Sequence, residues 1–197
     1  MLYTIHRYPT HLIDVVSLSD GRRLTVRPVL PQDDAGTQAF VCNLSKQSRY
    51  NRFFRVLTEL PPACLRRFTE VDYQSHVALV ATSFSEGREV LVAEARYAIK
   101  DDPTVAEWGI AVADAWQRMG VGTLMLRRIE ACARASGVRR LLAESLGSNE
   151  PMLRLARKLG FSVTLDPDDR TLLCLRKELE PATREAPASR LMTVAAA

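Results

Sequence analysis

The 197-residue sequence predicts a mixed α/β (α+β) domain: a central, mostly antiparallel sheet flanked by helices. Three observations lead there. Apolar runs of strand length recur between turn signals through residues 76–113, which is the pattern of an antiparallel meander. Apolar residues at helical spacing take over in Arg118–Ser136, at Val121, Leu124, Met125, Ile129 and Cys132. Short strands and one further helix then alternate to residue 178, without the repeated βαβ units of a doubly wound parallel sheet.

Composition fits one soluble domain. Hydrophobic residues make up 47% of the chain and charged residues 25%. No apolar run reaches the roughly 18–20 residues of a membrane span, and Met1–Thr10 has no apolar h-region of a secretory signal. The cysteines Cys42, Cys64, Cys132 and Cys174 form no CxxC pair and no zinc spacing. They read as free thiols in a reducing, cytoplasmic setting, with Cys132 and Cys174 on core faces. The net charge of +4 is spread along the chain, with arginine pairs but no run of five or more like charges, so neither nucleic acid nor a membrane is expected as a partner. The expected organisation is a single domain over residues 1–179. It comprises a hairpin and helices within 12–70 and a second half over 76–178, with an Ala/Pro-rich tail at 180–197.

In chain order, Val15–Leu18 and Leu24–Arg27 flank Asp20-Gly21 as a hairpin. Pro31–Asp34 opens a helix that carries Phe40, Val41 and Leu44. Ser45 caps a second helix to Phe54, and Pro61-Pro62 opens a third. Strands follow at His76–Phe84, Glu89–Ile99 and Val105–Ala113, separated by turns at Glu86-Gly87 and Asp101–Pro103. After the helix of Arg118–Ser136, Gly137 caps its end. Arg140–Ser145 is a strand. Ser148 or Asn149 caps the last helix, which has Pro151 in its first turn and ends at Gly160. Phe161–Leu165 and Thr171–Arg176 close the sheet.

The stretch Glu107–Thr123 carries the chemical signal: a strand, a loop with Gly120 and Gly122, then a helix. Glycines let a ligand approach the backbone. The first N–H groups of a helix lack internal partners and hold the positive end of its dipole, which suits a pyrophosphate. A tight strand-to-helix turn is the plain alternative for the two glycines. No Gly-Lys-Ser/Thr of a P-loop occurs, and Met125 stands where a dinucleotide fingerprint needs its third glycine.

Gln117-Arg118-Met119-Gly120-Val121-Gly122 resembles the Gln/Arg-x-x-Gly-x-Gly/Ala motif of the GNAT superfamily of N-acetyltransferases, and the order of elements over residues 24–178 is similar to the GNAT fold. Ser48–Phe54, Val71-Asp72-Tyr73 and Pro151–Phe161 look like the catalytic domain of Pat-type protein lysine acetyltransferases. The resemblance implies acetyl-CoA as cofactor and direct transfer of its acetyl group to an amine, a protein lysine. It also implies cofactor contacts at Ile110, Ala111, Val112, Gln117, Arg118, Met119, Gly120, Val121, Gly122, Thr123 and Asn149, and no metal. A lysine amine is neutral in about one molecule in 2,500 at pH 7, so a base is required. Glu107 is the candidate, on the side of its strand shared with Gly109 and Ala111; Glu94 is the reserve. One position departs from the superfamily: Ala156 stands where many members carry a tyrosine that protonates the thiolate. Arg49 and Arg52 are candidates for steering an acidic acceptor. The alternatives are acetylation of a polyamine, amino acid or aminoglycoside, and a catalytically silent acyl-CoA-binding module. Monomer and homodimer are both compatible with the sequence.

Overall fold

A computed structural model describes residues 7–85 and 87–180. The tail at 181–197, Glu86 of the expected turn and residues 1–6 lie outside them. Eight strands form one sheet in the order β1-β2-β3-β4-β5-β6-β8-β7. The strands are β1 (Asp14–Ser17), β2 (Arg23–Pro28), β3 (His76–Ser85), β4 (Arg88–Ile99), β5 (Val105–Val112), β6 (Arg140–Leu146), β7 (Ser162–Leu165) and β8 (Leu172–Glu178). The helices are α1 (Asp34–Asn43), α2 (Lys46–Phe53), α3 (Pro62–Thr69), α4 (Val121–Ala135) and α5 (Glu150–Lys158). Every neighbouring pair is antiparallel except β5 and β6, which run parallel. That follows from the α4 crossover joining them.

Two cores form because the sheet is covered on both faces. On one side α4 and α5 bury Val121, Met125, Leu126, Ile129, Leu153 and Ala156 against Ala95, Tyr97, Trp108, Ile110 and Leu141. Each large aliphatic side chain so buried contributes roughly 1.5–3 kcal/mol. On the other side Phe40, Val41, Leu44 and Leu60 pack on Ala78, Val80 and Leu91, with Leu65 and Phe68 of α3 at the margin.

The expected elements are present, with instructive differences. Helix α4 begins at Val121 rather than Arg118, because Arg118 and Gly120 hold left-handed φ values of 61° and 85°. Glu130 lies off the apolar stripe of α4 yet is buried, gripped by Lys177 and Arg134. Cys132 is a core thiol, whereas Cys174 is only half-buried and donates to Asp166 at 3.2 Å. A register shift between Ala81 and Thr82 leaves Val92 as an extra residue on β4. β5 itself keeps strict alternation against β4. Among the described residues no helix is long and apolar enough to cross a membrane.

Candidate active site

The site begins where two strands part. β5 and β6 pair at Val105↔Arg140, Ala106↔Leu141 and Glu107↔Leu142, and there the pairing stops. Beyond that point lies a cleft of about 290 Å³, lined by residues of β5, β6, β8, α2 and the start of α5. Glu107 stands at the branch point, Gly109 and Ile110 form the β5 wall, and Glu144 and Ser145 form the β6 wall.

The hydrogen-bond parity of β5 decides which backbone groups face this cleft. Lys100 N–H donates to Val105 C=O and Ala113 N–H to Val92 C=O. With Glu94 opposite Ala111, residues 105, 107, 109 and 111 spend their main-chain groups on β4. The N–H groups of Ile110 and Val112 therefore point to the opposite edge, into the opening. Ala111, expected as a cofactor contact, faces the other way: its amide is committed to β4, and its side chain packs in the core under α1. The Val112 carbonyl is taken by Gln117 Nε2 at 3.1 Å, and the same nitrogen lies 3.3 Å from Ser48 Oγ of α2. Gln117 is thus a brace between β5 and α2. Asp114 makes a second brace, accepting from the Ser45 N–H, Ser45 Oγ and Ser48 Oγ at 2.7–2.8 Å. Burial opposes its charge, but these donors outweigh burial and hold the carboxyl below the usual range.

The loop after β5 fits an anion. None of the N–H groups of Arg118, Met119, Gly120, Val121, Gly122 and Thr123 meets an acceptor among the described residues, and no side chain caps α4. A row of free amides at a helix N-terminus is the arrangement that binds phosphate oxygens. The indole Nε1 of Trp108, a buried residue in the cleft lining, also lacks an acceptor. The two glycines differ in role. A Cβ on Gly120 would meet nothing within 4 Å, so that face of the loop is open. A Cβ on Gly122 would press on Leu155 Cδ2 at 3.3 Å, with Val112 Cγ2 at 3.9 Å. Gly122 therefore serves the packing of α4 on α5, and only its amide faces the loop's open side. Val121 is fully buried, so it too offers only backbone. Asn149 caps α5 through Met152 N–H at 3.4 Å and lines the cleft from its far end. Beside the loop, the Arg22 guanidinium stacks 4.2 Å from the Trp116 ring.

The two candidate carboxylates have opposite surroundings. Glu107 is exposed, and Lys100 Nζ rests 2.7 Å from its Oε1. Glu94 is buried at 3% exposure. It accepts a short hydrogen bond from Arg96 and faces Arg52 Nη2 at 3.7 Å. Arg96 donates onward to Phe68 C=O at 2.9 Å and stacks on the Phe68 ring at 3.7 Å. Burial drives its pKa below the ordinary guanidinium value, against the pull of Glu94. Arg52 lies across Gly109, where a Cβ would come within 2.9 Å of its guanidinium. The expected steering role of Arg49 and Arg52 is thereby corrected. Arg52 is a half-buried counter-ion of Glu94, and Arg49 Nη1 closes the C-terminal end of α1 through Cys42 and Leu44 C=O, at 2.6 and 2.5 Å. Ala156 is fully buried. Tyr97 is locked in the core on Ser136 Oγ at 2.7 Å, its phenol pushed up to about 12 by burial.

Glu144 escaped the sequence reading. It lies exposed on β6 and, among the described residues, its carboxylate has no hydrogen-bond or ion-pair partner. The available signal was a single charge in the run Leu141-Leu142-Ala143-Glu144-Ser145.

Comparison with known proteins agrees with this architecture. The model of the acetyltransferase (GNAT) family matches residues 46–161. An acetyltransferase of Pseudomonas aeruginosa is 32% identical over 165 residues, covering 84% of this chain and 89% of that relative. Acetyltransferase Pat of Mycolicibacterium smegmatis is 31% identical over 146 residues, 74% of this chain but 43% of Pat, so the match spans less than half of that longer protein. The crystal structure of the GNAT domain of S. lividans Pat superposes with a TM-score of 0.80 at 30% identity, covering 88% of this chain and all of that one. The chain belongs to the GNAT family of acetyltransferases, enzymes whose acetyl donor is acetyl-CoA.

Proposed function

We propose that the protein acetylates a lysine side chain of another protein, with Glu107 as the base. The observation that carries this reading is the parting of β5 and β6 at Glu107, which leaves an exposed carboxylate at the mouth of a cleft open to solvent. A macromolecular acceptor can present one side chain to such a site. The similarity to the two Pat proteins supports the same acceptor class.

Acetyl-CoA supplies the activated acetyl thioester. The free amides of Arg118–Thr123 hold its phosphates, and the Ile110 and Val112 N–H groups hold the extended arm along β5 as a neighbouring strand would. An N–H of that edge also serves as a donor to the thioester oxygen. Glu107 accepts a proton from the lysine ammonium, directly or through one water, so that the amine presents its lone pair. Lys100 Nζ on Glu107 Oε1 is the chain's own example of an ammonium in that place. With alanine at 156, the thiolate takes its proton from water. A cytoplasmic setting suits the four free cysteines.

A thiol-release assay with acetyl-CoA against lysine peptides, polyamines and aminoglycosides tests the proposal. Turnover on lysine peptides is expected, and turnover confined to small amines rejects the acceptor. Acetylation of a polycationic small amine is the second reading, favoured by two carboxylates, Glu107 and Glu144, on one cleft.

A further inference from the structure

Glu144 is an exposed carboxylate without a partner among the described residues, in the wall of the cleft where acetyl transfer is placed. Its side is fixed by strand parity. Leu141 belongs to the core under α4, so Leu142 and Glu144 project from the opposite face. Glu107 shares that face, because Ala106 and Trp108 lie in the same core as Leu141. The parallel register puts Glu107 beside Leu142, and Glu144 two residues further along β6. Strands ~4.8 Å apart with a rise of ~3.3 Å per residue place the two α-carbons at least about 8 Å apart, and the parting strands widen this.

Among the described residues no cation pairs with Glu144. Arg52 is the one basic residue in the cleft lining, and it is spent on Glu94. The register neighbour of Glu144 on β8 is the uncharged Cys174, and Arg176, opposite Leu142, is turned to Glu178 at 2.7 Å. Glu107, by contrast, already carries an ammonium, that of Lys100. The cleft therefore contains one carboxylate that pairs with an ammonium and a second, like-facing one without a side-chain partner among the described residues.

We infer that Glu144 is a specificity residue that binds a second positive charge on the acceptor, so that the preferred target is a lysine with a basic residue two positions away. This rests on the acetyl-transfer reading above. In an extended segment, residues i and i+2 project to the same side about 6.6 Å apart. Two long, flexible side chains on that spacing can splay to carboxylates whose α-carbons stand at least about 8 Å apart, whereas residue i+1 projects away from them. An exposed ion pair of this kind contributes about 0.2–1 kcal/mol, a factor of roughly 1.5–5 in affinity. The effect belongs in KM, since the pair forms before chemistry and persists through it.

The test compares three acceptor peptides that differ only beside the target lysine: Lys-Ala-Arg, Lys-Arg-Ala and Lys-Ala-Ala. The wild-type protein should favour Lys-Ala-Arg over Lys-Ala-Ala by about two- to fivefold in kcat/KM, through KM, with Lys-Arg-Ala between them. Added salt should shrink the preference. Glu144→Gln should erase it while keeping kcat on Lys-Ala-Ala and an unchanged unfolding midpoint. A wild type that does not distinguish the peptides overturns the inference, as does a preference that survives in Glu144→Gln. Failure of every peptide alongside turnover of spermidine rejects the lysine reading itself and takes this inference with it.

Discussion

Replacing Glu94 by glutamine keeps the side chain's shape and removes one negative charge from a place where two guanidinium groups converge. The Glu94 side chain is 4% exposed, Arg96 11% and Arg52 18%. Arg96 cannot turn to water, because its remaining donors are held by Phe68 and Arg67 carbonyls and its plane lies on the Phe68 ring. Removing one partner of a buried pair leaves the other charge uncompensated, at a cost of ~3–5 kcal/mol. The lower end suits this site, since the amide oxygen still accepts one hydrogen bond. At about 2–4 °C per kcal/mol for a domain of this size, Glu94→Gln should melt ~6–12 °C below the wild type. Urea unfolding with two probes measures the same loss. Glu107→Gln, at an exposed ion pair, should stay within about 0.5 kcal/mol of the wild type. The reasoning is refuted if Glu94→Gln is as stable as the wild type. If that stable variant also fails to turn over, Glu94 and not Glu107 is the group that handles the proton.

Two further outcomes follow from the loop and from a half-buried imidazole. Gly120→Asn and Gly120→Asp both place a residue tolerant of positive φ at the open N-cap of α4. Their thermal stabilities should match, while CoA affinity falls at least about tenfold more for Asp, because its charge sits where the phosphates bind. In the wild type, CoA at about 100 times its Kd should add roughly 2.7 kcal/mol, and equal affinities in the two variants would remove the phosphates from this loop. His76 lies 3.2 Å from Arg96 Nη1, a donor that requires an unprotonated ring nitrogen. Burial and then Arg96 lower its pKa from 6.5, against Glu94 and Asp72. The unfolded chain therefore binds the proton first, and this contribution is complete above about pH 6.5 and lost as pH falls. His76→Gln should lose less stability than the wild type between pH 7.5 and 5.5, by as much as about 1.4 kcal/mol. Parallel urea midpoints across that range would contradict it.

What the sequence made legible was local. Turn dipeptides and alternating apolar runs located the β3–β4–β5 meander. The glycine loop before an amphipathic helix pointed to the free amides of 118–123. Ser45 was readable as the cap of α2, since its Oγ accepts the Ser48 N–H. The cleft was not legible, because it exists only where the long-range β5–β6 pairing ends at Glu107↔Leu142. For the same reason no feature of the sequence singles out Glu144 within the strand Arg140–Ser145. The Arg52–Glu94–Arg96 cluster joins α2 to β4 across 42 residues of sequence, so no spacing rule could foretell that Arg52 pairs with Glu94. Gly122 shows the limit of motif reading: its missing Cβ makes room for Leu155 on α5, a contact that a helix-start pattern does not contain.

The central claim is that Glu107 takes the acceptor's proton. Single-turnover acetyl transfer by Glu107→Gln at pH 7, with saturating acetyl-CoA and a lysine peptide, tests it most directly. The account predicts unchanged acetyl-CoA affinity, a rate about 10²–10⁴-fold below the wild type, and a deficit that narrows as pH approaches the amine's own pKa near 10.4. A Glu107→Gln protein that transfers acetyl at the wild-type rate at pH 7 would contradict it.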